Sequence, residues 1–296
     1  MNFRRLTSVV YNTHYGTTRH GVPPWPSRAV PADEAGTAAV GQSPTPWALS
    51  PLPGLADAPC SPAPTLLSAG DTKQMSEHGH GADRRFDAGF WDERYRSAKR
   101  VWSGNPNPQL VTEVADRPPG RALDVGCGEG ADAIWLARRG WAVVAADISG
   151  VALERAARHA RDTDPAVAAR IQWRQADLLA RPPEPRGFDL VSAQFMQMPP
   201  EPRTRLFTAL AAAVRDGGML LIVGHHPSDL AAGVPRPPMP ELFYTPDEIA
   251  GLLDGSWAIN ASEARPRPAS TPDGADVTVH DTVLVATRLA AASQPL

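Results

Sequence analysis

The sequence has few of the features that mark a membrane, secreted or metal-binding protein. It holds only two cysteines, Cys60 and Cys127, which predict neither a disulfide framework nor a metal cluster and fit a reducing, cytoplasmic setting. No apolar run reaches the roughly 18 residues of a membrane helix, and the N-terminus lacks the apolar core of a secretory signal. We therefore expect a cytoplasmic protein with no membrane partner and no metal.

Charge of either sign is also not in excess. The 29 basic and 32 acidic residues give a formal net charge of -3, so composition gives no support for nucleic acid or an anionic membrane as partner. A small-molecule substrate and a monomer or weak oligomer are the expectations that remain.

The first 82 residues differ in composition from the rest. They are rich in Pro, Ala, Ser, Thr and Gly and show no sustained period of two or 3.6 residues. Such a segment cannot bury enough apolar surface to offset its ordering entropy, so we predict disorder over 1–82, with Met75 as a plausible natural start. One domain is predicted over 83–290, with 83–118 as an N-terminal cover, followed by a tail at 291–296.

The central stretch of the chain is the segment 121–137. A short apolar run, Ala122 to Val125, breaks into glycines and then takes up helical spacing, which predicts a strand, a tight turn and a helix. Glycines allow a close approach of backbone to ligand, and the free N–H groups of the helix point to the same place. The segment is therefore expected to bind a nucleotide-like ligand.

Two ligand classes compete for this turn. Gly126, Gly128 and Ala131 satisfy the dinucleotide fingerprint of dehydrogenases. Asp124 and Glu129, however, would place negative charge where a pyrophosphate binds, and no clear hydride-transfer set of residues is present.

The run from Leu123 to Gly130 resembles the first motif of class I S-adenosylmethionine (SAM) methyltransferases. That resemblance implies SAM as the cofactor, a ligand without phosphate that carries a cationic amino group and a sulfonium. Its cofactor contacts are expected from this motif, namely Asp124, Gly126, Cys127, Gly128, Glu129 and Gly130. A nicotinamide-dependent oxidoreductase and a non-catalytic SAM-binding protein are the alternatives.

An aromatic segment precedes the turn. The runs from Phe90 to Tyr95 and from Val101 to Pro106 are similar to the N-terminal cover of methyltransferases of the tellurite-resistance and thiopurine type. This resemblance implies that Tyr95 and Trp102 lie near the methyl donor. The alternative is an amphipathic helix that only packs its aromatic residues on the core.

Asp147 ends the next buried strand and is the second expected cofactor ligand. It follows Gly126 by 21 residues, close to the spacing at which an acid reaches ribose hydroxyls in doubly wound folds. The alternative is a capping role for the helix that begins at Ser149. Ile148 is included with Asp147 as a contact.

Two further strands are expected to deliver residues to the same edge of the sheet. The strand 171–178 ends at Asp177, where the resemblance implies a hydrogen bond from the adenine amino group, with Ala176 and Leu178 beside it; a surface turn is the alternative. The strand 188–195 ends at Gln194 and Phe195, which the resemblance places near the methionine part of SAM. Met196 and Gln197 follow as further candidates.

The fifth strand, 219–224, is followed directly by His225 and His226. Adjacent residues point to opposite sides of an extended chain, so the two imidazoles are not expected to share a metal. Either is a candidate base or substrate contact. The Pro- and Gly-rich segment 228–240 is expected to shape a substrate pocket.

The last third of the sequence predicts a helix and a hairpin. Thr245, Pro246 and Glu248 form a capping-box pattern, and strands over 257–265 and 277–288 are separated by the turn at Gly274. Asp276, His280 and Asp281 are expected at the surface or the sheet edge. The whole pattern predicts an α/β, Rossmann-like, doubly wound sheet of seven strands with an antiparallel last strand.

The resemblance implies a methyltransferase that moves a methyl group to a small nucleophile such as a thiol, a selenium or tellurium oxyanion, or an oxygen or nitrogen acceptor. Methyl transfer depends chiefly on alignment, which can supply about 7–11 kcal/mol, so a catalytic base is optional.

Overall fold

The computed structural model describes residues 86–232, 234, 236, 239–271 and 273–290. The predictions for 1–82, including Met75 and Cys60, and for the tail at 291–296 lie outside these residues.

The described chain alternates helices and strands. The helices are α1 (Ala88–Arg96), α2 (Pro108–Val114), α3 (Ala131–Arg138), α4 (Gly150–Thr163), α5 (Pro165–Ala168), α6 (Pro200–Ala213) and α7 (Pro246–Ala250). The strands are β1 (Arg121–Val125), β2 (Ala142–Asp147), β3 (Ile171–Gln175), β4 (Phe188–Gln194), β5 (Val214–His225), β6 (Trp257–Ser270) and β7 (Asp276–Arg288). Short 3-10 turns cover Pro227–Ala231 and Pro240–Leu242.

All seven strands form one sheet in the order β3-β2-β1-β4-β5-β7-β6. The first five are parallel to one another, whereas β7 is antiparallel to both β5 and β6. The predicted seven-stranded sheet with an antiparallel last strand is therefore confirmed. The chain reverses its direction of winding between β1 and β4, and in such sheets ligands bind outside the carboxyl ends of the strands at that point.

Helices pack on both faces of the sheet. On one face α3 buries Ile134 and Leu136 beside Leu110 of α2. On the other face α6 buries Leu206 and Leu210, close to Ile249 of α7. Since both faces are covered, the central strands are almost continuously apolar, as the uninterrupted burial of β2 from Val143 to Asp147 shows.

The structure departs from the sequence-based prediction in the last strands. β6 continues to Ser270 and β7 starts at Asp276, so the hairpin is longer than predicted. Asp281 does not lie at the surface; it is 1% exposed, because β7 runs between β5 and β6 and the Asp281 carboxylate accepts from Arg267 Nε. Asp276 is exposed as predicted, and His280 is half-buried.

Candidate functional site

A cleft of about 1820 Å³ opens at the carboxyl ends of the parallel strands. Ligand pockets usually hold roughly 300–1,000 Å³, so this cleft has room for a cofactor and a second small molecule together. The predicted site residues that line it are Trp102, Gly126, Cys127, Gly128, Glu129, Gly130, Asp147, Ile148, Ala176, Asp177, Leu178, Gln194, Phe195 and His225. Asp124 and His226 do not line it.

Two positions of the glycine turn after β1, 126 and 128, lie so close to neighbouring side chains that a methyl group would clash there. A Cβ on Gly126 would lie 2.5 Å from Met196 Sδ, and one on Gly128 would lie 2.9 Å from the Tyr95 hydroxyl. Both glycines also have positive φ, 66° and 51°. These two positions therefore require glycine, for space as well as for backbone conformation.

Asp147 is fixed at the end of β2 by two backbone donors. One carboxylate oxygen accepts from Gly128 N and the other from Ser149 N, each at 2.8 Å. The N-cap of α4 is Ser149, whose hydroxyl accepts from Ala152 N, so Asp147 itself is not the cap. Burial raises the pKa of Asp147, while the N–H donors oppose that shift. The carboxylate thus joins the glycine turn to the start of α4 at the wall of the cleft.

Glu129 connects the glycine turn to the aromatic cover. Its Oε2 accepts from the backbone N–H groups of Val101 and Trp102 at 3.1 Å each, and its Oε1 lies 3.3 Å from Arg155 Nη1. Trp102 Nε1 in turn donates to the Tyr95 hydroxyl at 2.9 Å. The cover is therefore held directly on the turn.

A second link joins the cover to α4. Asp92 of α1 accepts from Ser149 Oγ at 2.6 Å and from Val151 N at 3.3 Å. The hydrogen bond from Ser149 lowers the pKa of Asp92. α1 thus supplies a carboxylate to the N-terminal turn of α4, where the helix dipole favours negative charge.

Buried acids lie beneath the turn. Asp124 is 1% exposed, its Oδ2 has no hydrogen-bond partner, and burial, followed by the nearby Asp132 and Asp147, raises its pKa well above the usual range. Asp132 accepts from Asn107 N at 2.6 Å, and burial raises its pKa to about 6. Asp132 lines the cleft and was not predicted, because an acid in the first turn of a helix is an ordinary dipole partner.

Asp177 lies at the cleft and also forms a surface turn, the two alternatives that the sequence left open. It is exposed and lines the cleft, and its Oδ1 accepts from Leu179 N at 2.9 Å and from Ala180 N at 3.3 Å, which is the pattern of a turn. Its role toward adenine stays a prediction.

His225 ends β5 as a buried ring among aromatic neighbours. The ring centroid lies 4.6 Å from that of Phe195 and 6.4 Å from that of Phe243. Its Nδ1 is buried without a hydrogen-bond partner. Burial, together with the positive charges of Arg236 and Arg267, lowers the pKa of His225 well below its usual value, so the imidazole is neutral at pH 7.

Gln197 holds the backbone beside this ring. Its side-chain amide is assigned the orientation that satisfies both neighbours, in which the oxygen accepts from His225 N at 2.7 Å and the nitrogen donates to the carbonyl of Leu242. In this orientation Gln197 joins the segment after β4 to the end of β5 and to the 3-10 turn Pro240–Leu242.

His226 has a local structural contact outside the cleft. Its ring accepts from Ser228 N at the start of the 3-10 turn, and its Nδ1 lies 2.9 Å from Ser228 Oγ. Burial and the neighbouring His280 lower its pKa.

Two arginines at the cleft wall were missed by the sequence analysis. Arg236 lies in the Pro- and Gly-rich segment and bonds to Asp229, with Nη2 to Oδ2 at 2.7 Å. Arg267 lies on β6 and bonds to Asp281, with Nε to Oδ1 at 3.2 Å. Neither segment has a motif that signals a site, so only the pairing of β6 with β7 and the course of the loop reveal them.

Comparison with known proteins gives a family match for the part of the chain that contains β1 to β4. Residues 122–218 match the model of a methyltransferase domain family. Over these residues the chain is similar to a methyltransferase domain. This match favours SAM over the nicotinamide alternative as the cofactor of the glycine turn.

Curated relatives of the methyltransferase domain include enzymes with different acceptors. The chain is 34% identical to the ubiquinone biosynthesis O-methyltransferase of Alkalilimnicola ehrlichii over 161 residues, 52% of this chain and 62% of that protein. It is 35% identical to the probable thiol methyltransferase 2 of Arabidopsis thaliana over 74 residues, 24% of this chain and 33% of that protein. The chain thus spans between a third and about three fifths of the length of these two relatives.

Solved structures share the fold of the methyltransferase domain. One, from a study on conversion of a disulfide bond into a thioacetal group during echinomycin biosynthesis, has a TM-score of 0.54 and 25% identity, covering 70% of this chain and 93% of that one. TehB from Haemophilus influenzae has a TM-score of 0.50 and 17% identity, covering 68% and 66%. Among the described residues no helix is long and apolar enough to cross a membrane, and no three or more His, Cys, Asp or Glu side chains gather as metal ligands.

Proposed function

We propose that the protein is a SAM-dependent methyltransferase that acts on a small molecule with an acidic nucleophile, such as a thiol or a phenol. The observation that carries the proposal is the cleft at the sheet switch point. There the backbone N–H of Gly128, in the glycine turn, donates to the buried carboxylate of Asp147.

The residues of this cleft fit SAM better than a dinucleotide. Glu129 and Asp132 line the cleft at the turn and Asp124 lies buried beneath it; an ammonium group nearby favours the ionised forms of these acids, whereas a pyrophosphate opposes them. Asp124 Oδ2 in particular is a buried acceptor without a partner. Unpaired buried acceptors are costly, so a cation near this acid offsets part of that cost.

The proposed cofactor contacts follow from position in the cleft. Asp147 accepts hydrogen bonds from the ribose hydroxyls. The adenine is surrounded by Ile148, Ala176, Asp177 and Leu178. The glycine turn, together with Gln194 and Phe195, faces the methionine part. Glu129 acts through the cover, because its carboxylate already binds the N–H groups of Val101 and Trp102. When bound, SAM supplies a methyl group already activated by its sulfonium.

The environment of His225 decides which nucleophiles are suitable. A general base must accept a proton and become cationic, and burial next to two arginines opposes that charge. His225 is therefore a weak base that serves mainly to contact the acceptor through its ring. A thiol ionises with little help and a phenol ionises far more readily than an aliphatic alcohol, which needs a stronger base.

The relatives support both oxygen and sulfur acceptors. One is named an O-methyltransferase and another a probable thiol methyltransferase, and the structural neighbour with 25% identity comes from work on a thioacetal. An acceptor with an oxygen or a sulfur nucleophile is consistent with all three.

The test is isothermal titration of the full chain with SAM, S-adenosylhomocysteine and NADH. We expect binding of the two sulfur ligands and none of NADH, and at least tenfold weaker binding after Asp147→Ala, because a charge-assisted hydrogen bond contributes about 1.5–3 kcal/mol. The matched control is Asp254→Ala, an exposed acid that caps a turn outside the cleft. NADH binding, or no binding of SAM by the folded chain, would refute the cofactor assignment.

Turnover is then measured as S-adenosylhomocysteine release with thiophenol, phenol and benzyl alcohol as acceptors. Methylation of the first two in preference to the alcohol supports an acidic nucleophile. SAM binding without turnover on any acceptor would favour the non-catalytic SAM-binding alternative.

A further inference from the structure

Arg236 and Arg267 stand at one end of the cleft, close to the same histidine. Both line the cleft; Arg267 bonds to Asp281, which pairs with His225 between β5 and β7, and Arg236 bonds to Asp229, which accepts from the N–H of the neighbouring His280. Their side chains are 7% and 16% exposed. Two guanidinium groups therefore form part of the wall at the end of β5.

Each guanidinium is held from behind by a carboxylate that does not line the cleft. Asp229 is fully buried and also accepts from His280 N at 2.8 Å. Asp281 is 1% exposed and also accepts from Gln109 Nε2 at 3.3 Å. The arginines are thus positioned by groups that are themselves fixed in the sheet and in α2.

Such pairs are not needed for stability. Apolar residues of similar volume usually replace a buried ion pair without loss of stability, since desolvation of two charges offsets their attraction. Two separate buried pairs, both with the cation toward the cleft and the anion away from it, are therefore better explained by a ligand than by folding.

The cleft wall carries charges of both signs on different elements. The acids Glu129, Asp132 and Asp147 belong to the glycine turn, the start of α3 and the end of β2, whereas Arg267 bonds to Asp281, which pairs with His225 at the end of β5, and Arg236 lies in the segment after β5. Since the acid-rich end suits the cation of SAM, the arginine end is left to the second molecule in the cleft.

Apolar side chains also line the cleft. The Phe195 ring lies beside that of His225 at the end of β5, with centroids 4.6 Å apart, whereas Met196 Sδ lies at Gly126 of the glycine turn. A molecule that reaches the end of β5 therefore meets an aromatic surface as well as cationic groups. That combination suits an organic anion with an apolar body rather than a small inorganic oxyanion.

We propose that the methyl acceptor is an organic anion, an apolar body that carries a carboxylate or a phosphate monoester, and that Arg236 and Arg267 bind its anionic group. This inference rests on the proposed methyltransferase function and names the acceptor class of the same cleft. An anion bound there also reduces the positive field at His225, so acceptor binding raises the pKa of that ring.

The experiment uses the full chain saturated with S-adenosylhomocysteine and measures binding of matched probes by calorimetry. Naphthoate is compared with naphthamide, and naphthyl phosphate with naphthol, so that each pair differs in charge at similar apolar area. We expect one anion to bind at least tenfold more tightly than its neutral partner, the factor that corresponds to about 1.4 kcal/mol. The pair that shows the preference tells carboxylate from phosphate.

The variants remove each cation together with its buried partner, because Arg→Met alone would leave an uncompensated buried carboxylate. They are Arg236→Met with Asp229→Asn, and Arg267→Met with Asp281→Asn. The single variants Asp229→Asn and Asp281→Asn keep the guanidinium groups at the cleft wall and serve as matched controls; because each leaves one buried cation without its counter-charge, its fold is first checked by urea denaturation. We expect the anion preference to fall below about threefold in either double variant, with S-adenosylhomocysteine affinity unchanged and the preference kept in the single variants.

The outcomes separate this inference from the proposed function. Failure of the wild-type chain to bind S-adenosylhomocysteine refutes the proposed function itself. Normal cofactor binding with no anion preference in either probe pair, or a preference that both double variants retain, refutes the acceptor class alone. Weaker S-adenosylhomocysteine binding in the double variants would show that the arginines hold the carboxylate of the cofactor, which also refutes it.

Discussion

Replacing Gly128 by alanine tests the contact between the glycine turn and the cover. The new methyl group would lie 2.9 Å from the Tyr95 hydroxyl and 3.2 Å from Trp102 Nε1, at a backbone φ of 51°. The left-handed conformation costs a non-glycine residue roughly 1–2 kcal/mol. The methyl group also forces the Tyr95 hydroxyl away from Trp102, and loss of that hydrogen bond costs about 1 kcal/mol.

We therefore expect Gly128→Ala to lower the free energy of unfolding by about 2–3 kcal/mol, measured by urea denaturation. Tyr95→Phe removes the hydroxyl that the methyl group meets and already breaks the bond to Trp102. In that background Gly128→Ala should cost only the backbone strain, about 1–2 kcal/mol, so the two changes should couple by about 1 kcal/mol.

The double-mutant cycle decides whether the contact exists as described. Costs that add to within about 0.3 kcal/mol would mean that Tyr95 does not pack on the turn, and the reasoning would be refuted. The control is Gly255→Ala, at a glycine where an added methyl group meets nothing within 4 Å.

Three further predictions concern separate parts of the molecule. His225→Phe should preserve the ring contact with Phe195 and remove a group whose pKa is lowered in the folded state. Because the unfolded imidazole binds a proton below pH 6.5 and the folded one does not, the wild type should lose stability relative to the variant by up to about 1.4 kcal/mol per pH unit as the pH falls from 6.5. Urea midpoints of the two proteins that stay parallel from pH 7 to 5 would contradict this. Thr245→Ala removes the hydroxyl that accepts from Glu248 N and should lower the free energy of unfolding, measured in urea, by about 0.5–2 kcal/mol. The control is Thr163→Ala at the end of α4. A loss no greater than that of the control would count against the capping box. Ser149→Ala removes the donor to Asp92 and the cap of α4, and should increase hydrogen exchange of α1 amides; exchange unchanged from the wild type would show that Asp92 does not hold the cover.

Much of the fold could be predicted because its signals are local. The capping box at Thr245 and Glu248 is set by residues three positions apart, and its prediction is confirmed. The strand from Ala142 to Asp147 is a continuous apolar run because both of its faces are covered, and it too was predictable.

The parts that escaped prediction depend on contacts between distant segments. Asp281 was expected at the surface because a polar residue in a hairpin usually is; its burial depends on Arg267, which the hairpin brings back from 14 positions earlier in the chain. Arg236 lies in a segment without any period, and its carboxylate partner Asp229 precedes it in a short 3-10 turn. No pattern within a single element shows such pairs.

The cover also determines which part of the chain is separable. The family match ends at residues 122 and 218, but Tyr95 and Trp102 pack on the turn within it, and Asp92 bonds to the first turn of α4. At the other end β7 pairs with β5 along seven residues, so β5 is not an edge strand. A fragment cut at the family boundaries would leave the Glu129 carboxylate without its two backbone donors and, by removing β5 after residue 218 together with β7, would expose the apolar strand β4 to pairing with other chains. The smallest unit that keeps the site as it stands therefore extends from α1 through β7.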